Sequence, residues 1–525
     1  MYLILLSVLV PILTGICFLA RKEFSDRKRL LTAVGADLIL TGALVTAALV
    51  TARGESHTLF FLTKNLPVEF KIDEISVLFS MTALVVLLCG GFFSFAYMDH
   101  EHREKRYYGF YLIVFGVLNG LCFAGNLITF YLFFEMLTLS SMPLVLHSQS
   151  KEAVMAGLKY LFYSLCGAYM ALFGIYFIFQ SSDTLTFTPG GILQLSESAS
   201  TAALRLSDSA SAGIPQLSGG VSAELLLIVA FIMILGFGVK AGMFPMHAWL
   251  PAAHPVAPAP ASAVLSAVIV KAGVLALVRV IYYIFGPDFL RGTWVQTAWL
   301  VLTLVTVFMG SLLAYREPLL KKRLAYSTVS QLSYILFGLA VAEPWSVTGS
   351  LLHVTAHAMI KATLFLCAGA IIYTTGKTRV DELKGIGKKM PLTMWCYTIV
   401  SLGLIGIPPT GGFVSKWYLA TGSLASHIPV FRWLGPVILL VSALLTAGYL
   451  LPLTIRGFFP GADYYTAKDE APESGISSAD LKGRRPEASL FMTIPIVIMT
   501  IFSVLLGLFP GAIIDRLMLL ISPIL

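Results

Sequence analysis

Four lysines, one glutamate and two histidines stand inside stretches apolar enough to cross a bilayer: Glu135, Lys240, Lys271, His353, His357, Lys361 and Lys416. A charge in hydrocarbon costs roughly 3 kcal/mol or more, so such residues face a protein interior or water and mark an ion path. Lys240 lies in LGFGVKAGMFP, a run broken by Gly236, Gly238, Gly242 and Pro245. Lys416 follows a second break, GIPPTGG, at residues 406–412. Interrupted backbone at membrane depth is tolerated only where it is buried in protein or lines a cavity.

His353, His357 and Lys361 recur at steps of four, which places them on one helix face about 6 Å apart along the axis. Histidines at i and i+4 can share a zinc ion. Here no carboxylate or thiolate stands at the next turn, and a cation does. A file of groups that take up and release protons is the better chemistry for this pattern. Glu135 must stay protonated or find a cation. Arg279, eight residues after Lys271, shares its face and reads as an anchor. His247 and His254, in FPMHAWLPAAHP, read either as proton uptake from the inner side or as interfacial residues beside Trp249. His100 and His102 belong to a solvated charged loop. GFGVKAG lacks the strand and the acidic residue of a nucleotide loop.

The elements that must hold these groups are long apolar helices. Of 525 residues 57% are hydrophobic and 12% charged, where a soluble domain carries about 25% charged. Runs of about 20 apolar residues identify an all-α polytopic membrane protein. We expect about fourteen spans, near 3–20, 31–51, 74–97, 108–125, 127–147, 157–180, 223–248, 257–285, 295–315, 324–342, 346–375, 391–420, 433–455 and 490–509, then a short amphipathic tail. Basic residues set the orientation. Alternate loops carry 24 Lys and Arg on one side against 7 on the other, which puts both termini outside. The loops at 181–221 and 457–489 read as solvated connections without a fold of their own.

The seventh and twelfth spans are both broken beside a lysine and are five apart. Five is odd, so the units holding them run in opposite directions, which predicts two inverted five-helix repeats. The expected organisation is 1–107 for the first three helices, 108–285 and 295–456 for the repeats, and 457–525 for the inner loop, last helix and tail. The six cysteines lie singly in apolar segments and form no CxxC pair, so we expect no metal site and no cofactor in this chain. The basic residues sit in short loops, which excludes a nucleic-acid partner.

FFEMLTLSS around Glu135, VKAGMFPMHAWLPAAHPVAPAP around Lys240, IVKAG around Lys271, LAYSTVSQLSYILFG, HAMIKATLF around Lys361 and GIPPTGGFVSK around Lys416 resemble the motifs of one family. It comprises the antiporter-like subunits of respiratory complex I, of membrane-bound hydrogenases and of multisubunit sodium/proton antiporters. The resemblance implies fourteen helices, inverted repeats and broken seventh and twelfth helices. It further implies a Glu135–Lys240 pair, a linking Lys271, the His357/Lys361 region and a terminal Lys416, where some members carry glutamate. The function implied is ion translocation, of protons or sodium, in the cytoplasmic membrane. Partners would be other membrane subunits, soluble redox subunits and lipid. Any redox chemistry would belong to those partners. Two alternatives stay open: a redox-independent sodium/proton antiporter complex, and a stand-alone inverted-repeat solute transporter.

Overall fold

Helices start where a short polar side chain can take the first free amides. Asp26, Asp73, Asn126, Ser150, Ser222 and Thr293 each accept a backbone N–H two or three residues ahead and so open a helix. The structure, a computed structural model, describes residues 1–21, 26–64, 66–182, 184–193, 222–461 and 487–525. Most of the two long polar loops predicted above lies outside the described residues.

In chain order the helices are α1 (Tyr2–Ala20), α2 (Arg27–Thr51), α3 (Glu74–Tyr97), α4 (Glu104–Cys122), α5 (Leu127–Val145), α6 (Lys151–Ser181), α7 (Ala223–Lys240), α8 (Leu250–Val256) and α9 (Ala259–Phe285). There follow α10 (Trp294–Arg316), α11 (Leu320–Val341), α12 (Pro344–Thr375), α13 (Pro391–Ile405), α14 (Gly411–Leu424), α15 (Pro429–Phe458), α16 (Leu490–Leu508) and the tail helix α17 (Gly511–Ile521). Among the described residues, twelve helices are long and apolar enough to cross a membrane. The chain is a multi-pass membrane protein.

One element was not legible. Residues 56–63 and 66–71 form an antiparallel hairpin between α2 and α3, so the fold is helical with one two-stranded appendage. Its second strand is tied to the α4–α5 turn by Lys71 N–H to Phe123 O and Gly125 N–H to Glu69 O, both near 2.9 Å.

Burial decides which helices are central. The apolar windows of α9, α11 and α12 are 100%, 94% and 89% buried, against 33% for α1 and α15. Lys271, Arg279, His353, His357 and Lys361 therefore sit on the most buried helices. Two π-helical turns, Leu265–Ile269 and Val280–Phe285, flank a regular stretch of α9 from Lys271 to Arg279. Carbonyls around the second are taken by the segment after α6: Thr188, Gly190 and Ile192 N–H reach Tyr283, Tyr282 and Ile284 O at 2.9–3.3 Å.

Candidate functional site

α7 stops at Lys240, two residues before Gly242, which turns left-handed at φ +71°. The carbonyl of Val239 is recovered by Trp249 Nε1 at 2.9 Å, and Phe244 N–H goes to Thr306 Oγ1 at 3.0 Å. Lys240 is thus presented at the end of a helix and turns toward α5. Its Nζ donates to Phe134 O at 2.9 Å and Thr138 Oγ1 at 2.7 Å, and lies 3.9 Å from the centre of the Phe134 ring.

The structure does not make the expected Glu135–Lys240 contact. Among the described residues Glu135 has no ion pair within 4.0 Å. Neighbouring residues on a helix point about 100° apart, so with Phe134 against Lys240 the Glu135 carboxylate stands to one side, within Coulombic reach of the ammonium and beyond direct contact. Glu135 is partly exposed at the α5 surface, with Oε1 buried and unpartnered. Nor do Lys240 and Lys271 share a partner. Gly273 lets α9 approach the α7 break so closely that a Cβ there would meet Ala241 N at 2.7 Å. The two backbones meet, yet one ammonium points to α5 and the other to α12.

Lys271 Nζ is 3.1 Å from His357 Nδ1. His357 and His353, one turn apart on α12, stack with ring centres 5.7 Å apart. His353 binds Ser415 Oγ at 2.8 Å through Nδ1 and Gln331 Oε1 at 3.2 Å through Nε2. With both nitrogens of His353 so directed and Nδ1 of His357 at a lysine, the two rings do not converge on a shared metal position. Lys361 Nζ donates to Leu324 O at 3.0 Å. Ser415 precedes Lys416, whose Nζ donates to Leu404 O at 2.5 Å and Ile405 O at 3.2 Å and lies 4.9 Å from the Tyr334 ring centre.

Two of the lysines, Lys416 and Lys321, share a device. α13 ends at Gly406, in the left-handed region at φ +97°, and leaves its last carbonyls to Lys416. Lys321 likewise reaches Pro255 O at 3.3 Å and Ala257 O at 2.5 Å, at the end of α8. A helix C-terminus carries partial negative charge, which favours a cation there. Among the described residues Lys240, Lys271, Lys321, Lys361 and Lys416 have no carboxylate within 4.0 Å.

His254 is fully buried, stacked 4.7 Å from Phe365, with both ring nitrogens unpartnered. It is a core residue and not an interfacial one. His247 lies partly exposed in the break, stacked on Phe244 at 6.1 Å. Arg279 is held by Asp73 on α3's cap. Sequence reasoning missed Thr138, Lys321, Gln331 and Ser415. Lys321 was counted among the basic loop residues that set the orientation. Gln331 was visible as an amide in the middle of an apolar run.

The family described as NADH:quinone oxidoreductase/Mrp antiporter, TM, matches residues 124–446. That described as NADH-Ubiquinone oxidoreductase (complex I), chain 5 N-terminus, matches residues 61–108. The chain is 30% identical to an NADH-quinone oxidoreductase subunit of Desulforudis audaxviator, over 98% of this chain and 97% of the relative. It is 26% identical to a Na(+)/H(+) antiporter subunit of Bacillus subtilis, over 89% and 90%. Its fold is similar to a chain of an archaeal membrane-bound sulfane sulfur reductase, with TM-score 0.80, 20% identity and coverage of 99% and 97%. A chain of the Mrp complex from Dietzia sp. is similar with TM-score 0.78, 23% identity and coverage of 99% and 97%.

Proposed function

The chain belongs to the NADH:quinone oxidoreductase/Mrp antiporter transmembrane family, and on that premise we propose that it is an ion-translocating subunit of a larger membrane complex. Protons are taken up from the inner side near Lys240 and the histidines of the α7–α9 break. They pass sideways through Lys271, His357, His353 and Lys361 and leave outward near Lys416. The reading takes 108–285 and 295–456 as inverted repeats, with both termini outside in the cytoplasmic membrane.

One observation carries this reading. Lys271, His357, His353 and Ser415 form a buried series, with polar contacts of 3.1 and 2.8 Å at its ends and two stacked rings 5.7 Å apart between centres, ending beside Lys416. Each lysine on it leans on carbonyls or an imidazole and not on a carboxylate. An amine without a fixed counter-charge can give up its proton without leaving a buried anion behind, which suits a group that must alternate. The chain's own residues hold and pass the ion, and the driving chemistry belongs to neighbouring subunits.

The whole complex reconstituted in liposomes tests this. Lys240→Ala should assemble and lose ion translocation, and normal translocation in that variant defeats the scheme. A second reading, translocation without redox partners, is favoured by the likeness to the Bacillus subtilis antiporter protein. Purification of the native complex with its subunits separates the two.

A further inference from the structure

Arg279 closes the regular stretch of α9 that begins at Lys271. Eight residues place it about 12 Å further along the axis, on the same face, with Leu275 between. Residues 272–278 are apolar or glycine and buried. Arg279 itself is 1% exposed. Its guanidinium makes bonds of 2.5 and 2.8 Å to the two carboxylate oxygens of Asp73 and 3.1 Å to Ser76 Oγ. Phe187 and Tyr283 lie against it, ring centres 4.9 and 4.8 Å from the guanidinium carbon.

A cavity of about 520 Å³ begins on the other side of this group. Its lining includes Arg53, Lys71, Asp73, Phe187, Tyr283 and Arg516. It reaches the surface at Leu519, which is 77% exposed. Three of the side chains that hold Arg279 are therefore also the floor of a charged, open cavity. Arg279 lies between that cavity and the buried apolar stretch leading to Lys271.

We propose that the Arg279–Asp73 pair is the outer plug of the ion path, sealing the buried lysines from this cavity so that ions leave only by way of Lys416. The inference rests on the relay reading above. Asp73 lines the cavity, and Arg279 lies behind it on the α9 stretch that begins at Lys271. A proton that reaches Asp73 finds no acceptor beyond it, because a guanidinium has no free lone pair and stays charged. A fixed arginine is also a barrier to cations in a narrow path. Burial pushes the Asp73 carboxyl up. The charge and hydrogen bonds of Arg279, with those of Ser76, outweigh that and hold it below the ordinary carboxylate value, so the pair persists.

The assembled complex in liposomes, with its driving reaction off, tests the plug through the collapse of an imposed pH gradient. Asp73→Asn with Arg279→Gln replaces both ions by amides of similar shape and leaves neither charge buried alone. We expect collapse several-fold faster than wild type, and wild-type tightness again when Lys271→Ala is added. Wild-type tightness in the double variant overturns the proposal. So does a leak that survives Lys271→Ala. Should the double variant fail to assemble, Arg279→Lys carries the same test: its amine can release a proton, so it too should leak through Lys271, and a tight membrane overturns the proposal. If wild type pumps and Lys240→Ala does not while the plug variants stay tight, the plug alone is wrong.

Discussion

The ammonium of Lys240 rests on a hydroxyl and a carbonyl of α5, and Thr138 is the part of that seat a mutation can remove. A hydrogen bond to a charged group contributes about 1.5–3 kcal/mol. Thr138→Ala should lower the stability of the purified complex by that order in thermal unfolding and slow translocation, and Thr138→Ser should restore both. An Ala variant as stable and active as wild type would show that Phe134 O alone suffices. Among the described residues His357 is the one hydrogen-bond partner of the Lys271 ammonium. His357→Ala should cut translocation at least tenfold, about 1.4 kcal/mol or more on the transfer barrier, with the subunit content of the complex unchanged on a native gel. The lysines were legible in the sequence because lipid makes any buried charge conspicuous. Their partners were not, since a backbone carbonyl can belong to any residue. The spacing of Glu135 from Lys240 was hidden as well, since sequence does not give the distance between two side chains on different helices.

Helix breaks position these groups, and glycine permits the breaks. α9 lies against the α7 break at Gly273, where an added Cβ would meet Phe237 O and Ala241 N at 2.7 Å. Those are backbone atoms and cannot swing aside. Gly273→Val should destabilise by about 1–3 kcal/mol or more through overpacking, measured as a lower unfolding temperature. Unchanged stability would mean that α9 and α7 can separate without loss. Both breaks were readable from Gly and Pro beside a lysine, and the structure ends α7 at Lys240 and α13 at Ile405. The hairpin at 56–71 was not. Its exposed Leu59, Phe60, Phe61 and Leu62 follow no inward–outward alternation, so no strand period stood out. The π turns around Lys271 were equally silent, because they depend on what α9 packs against.

At the scale of the molecule, the charged helices α9, α11 and α12 are wrapped by helices that present apolar faces to lipid. The proposed plug depends on an ion pair, which fixes a pH dependence. Asp73 sits below its ordinary value, so the pair's contribution is complete above about pH 4 and is lost as pH falls through the lower folded value. Arg53, Lys71, Glu74, Ser76, Arg279, Tyr283 and Arg516 are among the polar groups around it. Gradient retention by the resting complex should be flat from about pH 5 upward and fail only below about pH 4. Failure near neutrality would contradict the assignment. The family and its membrane class were legible from composition and motifs, while the way the cavity lined by Asp73 meets Arg279 required coordinates. The central claim is that ions cross this subunit sideways through Lys271. The direct measurement is the number of ions translocated per turnover of the driving reaction by the whole complex carrying Lys271→Ala. The account predicts a lower ratio with all subunits present, and an unchanged ratio would contradict it.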